Sequence, residues 1–319
     1  MAVYSLDSVL QGLKGKDCLT LTDYTPEEIQ ALIKLAVKLK QEQKAGVKNT
    51  ALQGKVLAMM FDKPSTRTRV SFAVGMAQLG GQFLELSSKE MQYGRGESLE
   101  DTARTLSGYV DAIMIRTFSQ QMVEELAKHA TVPVINGLTD LYHPCQALAD
   151  LLTLMEEKGD LSRVKLAYVG DGNNVLHSLM HGAAAVGMTL TIATPKGYEP
   201  LPKVWDEIEK VAKQTGAQIQ FYYDPMEAVK EADAIYTDVW ASMGQEEEKE
   251  KRKKDFAEYQ VNETLMKQAK ADAIFMHCLP AYRGLEVTAE VIDGPQSVVF
   301  QQAENRLHAQ KALLLSLLG

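Results

Sequence analysis

The 319-residue chain is poor in cysteine, in net positive charge and in long apolar runs, and each shortage removes a class of protein. Its three cysteines, Cys18, Cys145 and Cys278, are odd in number, far apart and outside any CxxC pair. That argues against a disulfide framework and a zinc site, and for a reducing compartment such as the cytoplasm. A formal net charge of −8 and a pI near 5.4 oppose a protein built to coat nucleic acid or an anionic membrane. No stretch approaches ~18 uninterrupted apolar residues, so no membrane span is expected. Met1 to Lys16 carries Asp7 and no long apolar core, so it does not read as a signal peptide. The remainder is ordinary for a globular enzyme, 45% hydrophobic and 24% charged. The length predicts two domains of roughly 150 residues each. Any anionic ligand must therefore be caught by a local group of cations.

One such group is Ser65-Thr66-Arg67-Thr68-Arg69. The apolar run Val56 to Phe61 stops just before it, and Val70, Phe72, Ala73, Met76, Ala77 and Leu79 recur after it at helical spacing. This predicts a strand, a short loop and a helix capped by Ser65 or Thr66. A helix start has spare N–H groups and partial positive charge, so hydroxyls and guanidinium groups there suit a phosphate or similar anion. Taken alone, the loop also reads as a plain cap followed by two solvated arginines.

Thr25-Pro26-Glu27-Glu28 predicts a helix start with a capping box and proline at its first position, running to about Lys44. Beyond the Ser65 loop, strands are expected at Phe83 to Leu86, Ala112 to Ile115 and Val132 to Ile135, with helices from Ser98 and Ser119 between them. Asn136-Gly137 reads as the start of a turn leading to His143-Pro144-Cys145-Gln146 and a long apolar helix from Ala147 to Met155. A second series starts with strand Leu166 to Val169, the loop Gly170-Asp171-Gly172-Asn173-Asn174 and a helix from Leu176 to Val186. Strands near Thr189 to Ala193, Ile219 to Tyr222, Ala234 to Tyr236 and Ala273 to Met276 continue it. Such alternation predicts an α/β protein of two doubly wound parallel-sheet domains joined by interdomain helices.

The segment from Ser87 to Ser98, with Gln92, Gly94, Arg95 and Gly96, reads as a mobile loop or a solvated connector. In Glu246 to Lys254, glutamates stand four residues before basic partners (Glu247–Lys251, Glu248–Arg252, Glu250–Lys254), the mark of a solvated helix face.

Ligands of open parallel sheets bind beyond the carboxyl ends of the strands. Arg116 and His143 follow strand ends in the first half, as does the Arg67 loop, and Gln146 lies close by in sequence. His143 alone is more readily a structural histidine; the group together is more readily a site for a small anion bearing a carbonyl. The Gly170 loop invites a dinucleotide-binding reading, but Val175 stands where the third glycine belongs, and Ala193-Thr194-Pro195-Lys196 brings no ribose-binding acid. Asp238, followed by Ser242-Met243-Gly244, suits an ammonium group or a turn. In His277-Cys278-Leu279-Pro280 the cysteine reads as a reactive thiol or a small buried residue.

Together these motifs, in this order, make the chain from about Leu19 to Leu318 resemble the aspartate/ornithine carbamoyltransferase family. Asp238 with Ser242-Met243-Gly244, and His277-Cys278-Leu279-Pro280, resemble its ornithine branch. The resemblance implies transfer of the carbamoyl group of carbamoyl phosphate to the δ-amine of L-ornithine, giving L-citrulline and phosphate. A sister activity on putrescine or an acylated ornithine is the alternative. It implies residues 1–147 for carbamoyl phosphate, 148–301 for ornithine, and 302–319 as a helix returning to the first domain. Ser65, Thr66, Arg67 and Thr68 would bind the phosphate, and Arg116 and His143 the carbonyl oxygen. Gln146 with the Cys278-Leu279 backbone would hold the carbamoyl NH2, and Arg306 would also face carbamoyl phosphate. Gln92 would reach a neighbouring subunit's site, implying a homotrimer or a multiple such as a dodecamer. Asn174, Asp238, Ser242 and Met243 would hold the ornithine α-groups, with Cys278 orienting the amine. No cofactor or metal is implied. A nicotinamide-dependent oxidoreductase and a two-domain amino-acid-binding module are the rivals from other classes.

Overall fold

The structure, a computed structural model, describes residues 6–87, 91–242 and 244–319. Met243 therefore lies outside the described residues. The chain divides into two compact units, Met1–Leu152 with Asn305–Gly319, and Thr153–Glu304. Both divisions fall inside helices, Pro144–Lys158 and Val299–Leu318. Among the described residues no helix is long and apolar enough to cross a membrane.

The first unit is built on four parallel strands, β1 (Val56–Phe61), β2 (Gln82–Ser87), β3 (Ala112–Arg116) and β4 (Val134–Leu138), in the order β2-β1-β3-β4. The two central strands, β1 and β3, are almost wholly buried, as a parallel sheet covered on both faces requires. Helix Pro26–Lys44 starts where the sequence places it: Thr25 and Glu28 form the reciprocal capping box, with Pro26 in the first turn. Its apolar side buries Ile29, Leu32, Ile33, Ala36 and Leu39.

One expectation fails here. Asn136 and Gly137 are not a turn but part of β4, which starts two residues later than the sequence suggests. Tertiary pairing overrides the turn propensity of Asn-Gly. The Asn136 amide donates to the Cys18 carbonyl, and its fully buried side chain donates to the Leu19 carbonyl and to Gln120. A Cβ on Gly137 would stand 2.5 Å from Met114 Sδ, so the glycine lets the strands close.

The second unit carries β5 (Lys165–Val169), β6 (Thr189–Ala193), β7 (Gln218–Tyr222), β8 (Ala234–Thr237) and β9 (Ile274–His277), all parallel in the order β7-β6-β5-β8-β9. Helix Asn174–Val186 is buried along nearly its whole length. Helix Pro202–Thr215, which the sequence reading passed over, buries only Val204 and Ile208. Phe256, Phe275, Trp240 and Val261 belong to one core cluster of this unit.

The charge run is the second correction. Its helix begins only at Lys249, so Glu247 and Glu248 lie in the preceding 3-10 turn. Pairing moves to Glu250–Lys253 and Lys251–Asp255, and among the described residues only Glu248–Arg252 forms as expected. Arg252 is not on a solvated face. It is buried, and its Nη1 donates to Asp171 and to the Trp240 carbonyl. The short helix turns this one guanidinium inward and leaves the other charges in water.

Candidate active site

In the first unit the loops after β1 and β3 leave neighbouring strands at the point where strand order reverses, the usual ligand position of an open parallel sheet. Helix Thr66–Gln78 follows β1. Ser65, not Thr66, is its cap, and Ser65 Oγ accepts from the Thr68 amide at 3.1 Å. No acidic residue occupies the first turn, so the positive end of the helix is not neutralised from within.

Around Thr68 the expected residues converge. Thr68 Oγ1 accepts from Arg306 Nη2 at 3.1 Å and lies 3.5 Å from Arg116 Nη1. Arg306 Nη1 donates to Gln146 Oε1 at 2.9 Å, and its Nε donates to Gln310 at 2.9 Å. Gln146 Nε2 in turn donates to Asp150 at 2.8 Å, which fixes which end of the amide faces the guanidinium. Arg116, His143, Gln146 and Arg306 are all buried. Burial holds the His143 pKa well below its ordinary 6.5, reinforced by Arg306, Arg116 and Arg67. A neutral imidazole beside three guanidinium groups can accept or donate a hydrogen bond without adding a charge.

The remaining residues of this loop divide. Arg67 is half-buried and Thr66 exposed. Arg69 leaves the group: it pairs with Glu85 of β2 at 2.8 Å and lies over the Phe61 ring. Lys63, buried, pairs with Asp140 and lies over Phe118, bracing the loop from below. Gln92 is exposed, just before the short turn Tyr93–Arg95.

In the second unit the corresponding reversal lies between β5 and β8. Asp238 follows β8 and is buried. Its Oδ1 accepts from Cys278 Sγ at 3.0 Å and from the Val239 amide at 2.8 Å, and its Oδ2 accepts from Asn173 Nδ2 at 2.7 Å. The thiol is thus a donor to the carboxyl group. Asn173 ties the Gly170 loop to Asp238 while also capping the helix that Asn174 begins. Ser242 is half-buried, and its amide donates to Gln245.

Gly172 has a packing role. A Cβ there would stand 2.4 Å from the Tyr198 carbonyl oxygen, to which the Gly172 amide itself donates. Val175 is buried. The loop therefore needs no phosphate to account for its glycine.

Cys278 and Leu279 follow β9. Leu279 has φ 58, a left-handed conformation that costs a leucine about 1–2 kcal/mol. Asp238, His277 and Cys278 offer ligand atoms within 4.8 Å of one another. They do not make a metal site, because both ring nitrogens of His277 are already engaged, Nδ1 by the Leu279 amide and Nε2 by Glu286.

The sequence reading missed Asp150, Gln310 and Glu286. The first two stand four residues after Gln146 and Arg306 and could have been sought by helical spacing. Glu286 has no local signal.

Two family profiles match, the carbamoyl-P binding domain of aspartate/ornithine carbamoyltransferase over residues 16–156 and its Asp/Orn binding domain over residues 162–317. A protein of Oceanobacillus iheyensis named ornithine carbamoyltransferase is 64% identical over 97% of this chain and 96% of its own. One of Bacillus subtilis with the same name is 60% identical over 96% of this chain and 95% of its own. The solved ornithine carbamoyltransferase from Pyrococcus furiosus superposes with a TM-score of 0.93 at 57% identity, covering 96% of this chain and 98% of that one.

Proposed function

The chain belongs to the aspartate/ornithine carbamoyltransferase family, and from that premise we propose how its own residues perform the reaction. It is a carbamoyltransferase that moves the carbamoyl group of carbamoyl phosphate to the δ-amine of ornithine, giving citrulline and phosphate.

Ser65, Thr66, Arg67 and Thr68 receive the phosphate at the helix start. Arg116 and His143 face the carbamoyl carbonyl, and Arg306 adds a third guanidinium. The observation that carries this assignment is the group of Arg116 and Arg306 on the Thr68 hydroxyl, with His143 kept neutral beside them. When the neutral δ-amine attacks the carbamoyl carbon, negative charge gathers on the carbonyl oxygen. Donors fixed beforehand on such an oxygen contribute about 10²–10³ each in rate. The carbon–oxygen bond to phosphate then breaks, the departing phosphate takes the proton that the amine loses, and the resulting dianion is stabilised by Arg67 and the helix terminus. Asp238, Asn174, Ser242 and Met243 hold the ornithine α-groups, and Cys278 orients the amine through Asp238 without forming a covalent intermediate.

The same proposal includes a biosynthetic direction toward arginine, since the 57% identical Pyrococcus furiosus relative is named anabolic. It also includes a cytoplasmic location, in keeping with three buried free thiols, and a homotrimer. Val70, Phe83 and Leu84, exposed on the first unit, supply apolar surface for self-association, with Gln92 reaching a neighbouring subunit.

A carbamoylation assay across ornithine, putrescine, N-acetylornithine and aspartate tests the substrate assignment. Turnover of ornithine at least about a hundredfold above the others in kcat/KM is expected, since a site built for polar groups rejects analogues lacking them. Preference for putrescine would remove the roles given to Asn174, Ser242 and Met243.

A further inference from the structure

His277 closes β9, and its imidazole is fully buried. Nδ1 accepts a hydrogen bond from the Leu279 amide at 2.8 Å. A ring nitrogen that accepts from a backbone N–H carries no proton, so the proton of this imidazole sits on Nε2. Nε2 faces Glu286 Oε1 at 3.2 Å, and the same oxygen accepts from the Tyr282 amide at 2.6 Å. Glu286 is itself buried, 1% exposed. A single carboxyl oxygen thus terminates a line of donors from Leu279 through the imidazole. Cys278 lies between the two residues that the ring joins, with its sulfur on Asp238.

We propose that Glu286 is a positioning residue for the amine-binding half of the site. It holds His277 in the Nε2–H tautomer, which leaves Nδ1 available to the Leu279 amide and fixes the turn that aims Cys278 at Asp238. This rests on the reading that Asp238 and Cys278 receive the ornithine amine. The physical reason is a buried donor. Without the Glu286 oxygen, Nε2–H has no acceptor in a water-free place, and the imidazole gains by carrying its proton on Nδ1 instead. There it meets the Leu279 N–H, donor against donor. The turn must then shift, and Leu279, already at φ 58, has no relaxed alternative in place. Glutamine in place of Glu286 keeps an oxygen able to accept from both the imidazole and the Tyr282 amide; leucine keeps the bulk and removes the acceptor.

The test uses the full chain with Glu286→Leu and Glu286→Gln, after circular dichroism and thermal unfolding have verified folding. Nitrogen-15 spectra of histidine-labelled, substrate-free protein report the tautomer, with His277→Asn assigning the signal. The wild-type chain and Glu286→Gln are expected to show His277 protonated on Nε2 with Nδ1 as acceptor. Glu286→Leu is expected to lose that signature and to raise the KM for ornithine about tenfold, with the KM for carbamoyl phosphate unchanged within about twofold. An unaltered tautomer or an unaltered ornithine KM in folded Glu286→Leu overturns the proposal. So does a Glu286→Gln variant as impaired as Glu286→Leu. If Glu286→Leu does not fold, the wild-type spectrum decides, because a proton on Nδ1 refutes the relay outright. Failure of the wild-type chain to use ornithine would instead refute the substrate reading and leave the tautomer result standing.

Discussion

Arg252 Nη1 donates to Asp171 Oδ2 at 2.9 Å, joining residues 81 positions apart whose side chains are 8% and 9% exposed. The same nitrogen donates to the Trp240 carbonyl at 2.8 Å. One guanidinium therefore ties the loop after β5 to the loop after β8, the two segments that carry Asn173 and Asp238. Burial pushes the Asp171 carboxyl up to about 6 even with Arg252 pulling the other way. Removing Arg252 leaves the buried Asp171 carboxyl without its counter-charge. Arg252→Ala should cost about 3–5 kcal/mol of stability, read as a lowered urea midpoint at neutral pH. A loss below about 1 kcal/mol would mean that water replaces the guanidinium without penalty.

Arg67→Ala should weaken carbamoyl phosphate binding about a hundredfold or more while leaving the circular dichroism spectrum unchanged, since charge-assisted bonds to phosphate contribute about 1.5–3 kcal/mol each. Calorimetric titration with carbamoyl phosphate reads this directly. Unchanged affinity would remove Arg67 from the phosphate.

Cys278→Ser should raise the KM for ornithine several-fold, because the hydroxyl is smaller than the thiol whose sulfur reaches Asp238 at 3.0 Å. Mass spectrometry of the wild-type protein quenched during turnover should find no carbamoyl adduct on Cys278. A trapped S-carbamoyl thiocarbamate would make the residue a nucleophile.

His143 gives the fold a pH signature. The unfolded chain takes up a proton near the ordinary 6.5, which the folded ring refuses because burial and the arginines hold its pKa well below that value. Unfolded molecules then bind more protons, so stability falls as pH drops below about 6.5, by up to roughly 1.4 kcal/mol per pH unit. Urea unfolding at several acid pH values should show this slope, reduced in His143→Gln. An identical slope in that variant would assign the acid lability to other groups.

The sheets and the placement of several candidate site residues were legible because each rests on local signals. Val56–Phe61 is a continuous apolar strand, Ser65 stands where a cap must stand, and Arg116 and His143 follow strand ends. What escaped is decided by distant partners. Asn136-Gly137 carries turn chemistry, yet pairing with Cys18 and β3 draws it into the sheet. Arg252 has the composition of a solvated face, yet it is buried against Asp171. Asn173 and Asn174 are indistinguishable in sequence; only the geometry of the helix start selects the first as the partner of Asp238. Arg69, next to Arg67 and equally basic, is claimed by Glu85 from the next strand.

The bond between Arg306 and Gln146, separated by 160 residues, sets an order in time. During synthesis the strands of the first unit and the Thr66 helix leave the ribosome early, but the guanidinium that meets Thr68 and Gln146 is translated only after all of Thr153–Glu304. The anion-binding half therefore waits for the second unit to be made, although none of the second unit's strands belongs to its sheet. A nascent chain stalled before Asn305 would carry the first sheet and its phosphate loop with Thr68 and Gln146 lacking the guanidinium they share, and would be the species most exposed to chaperones and proteases.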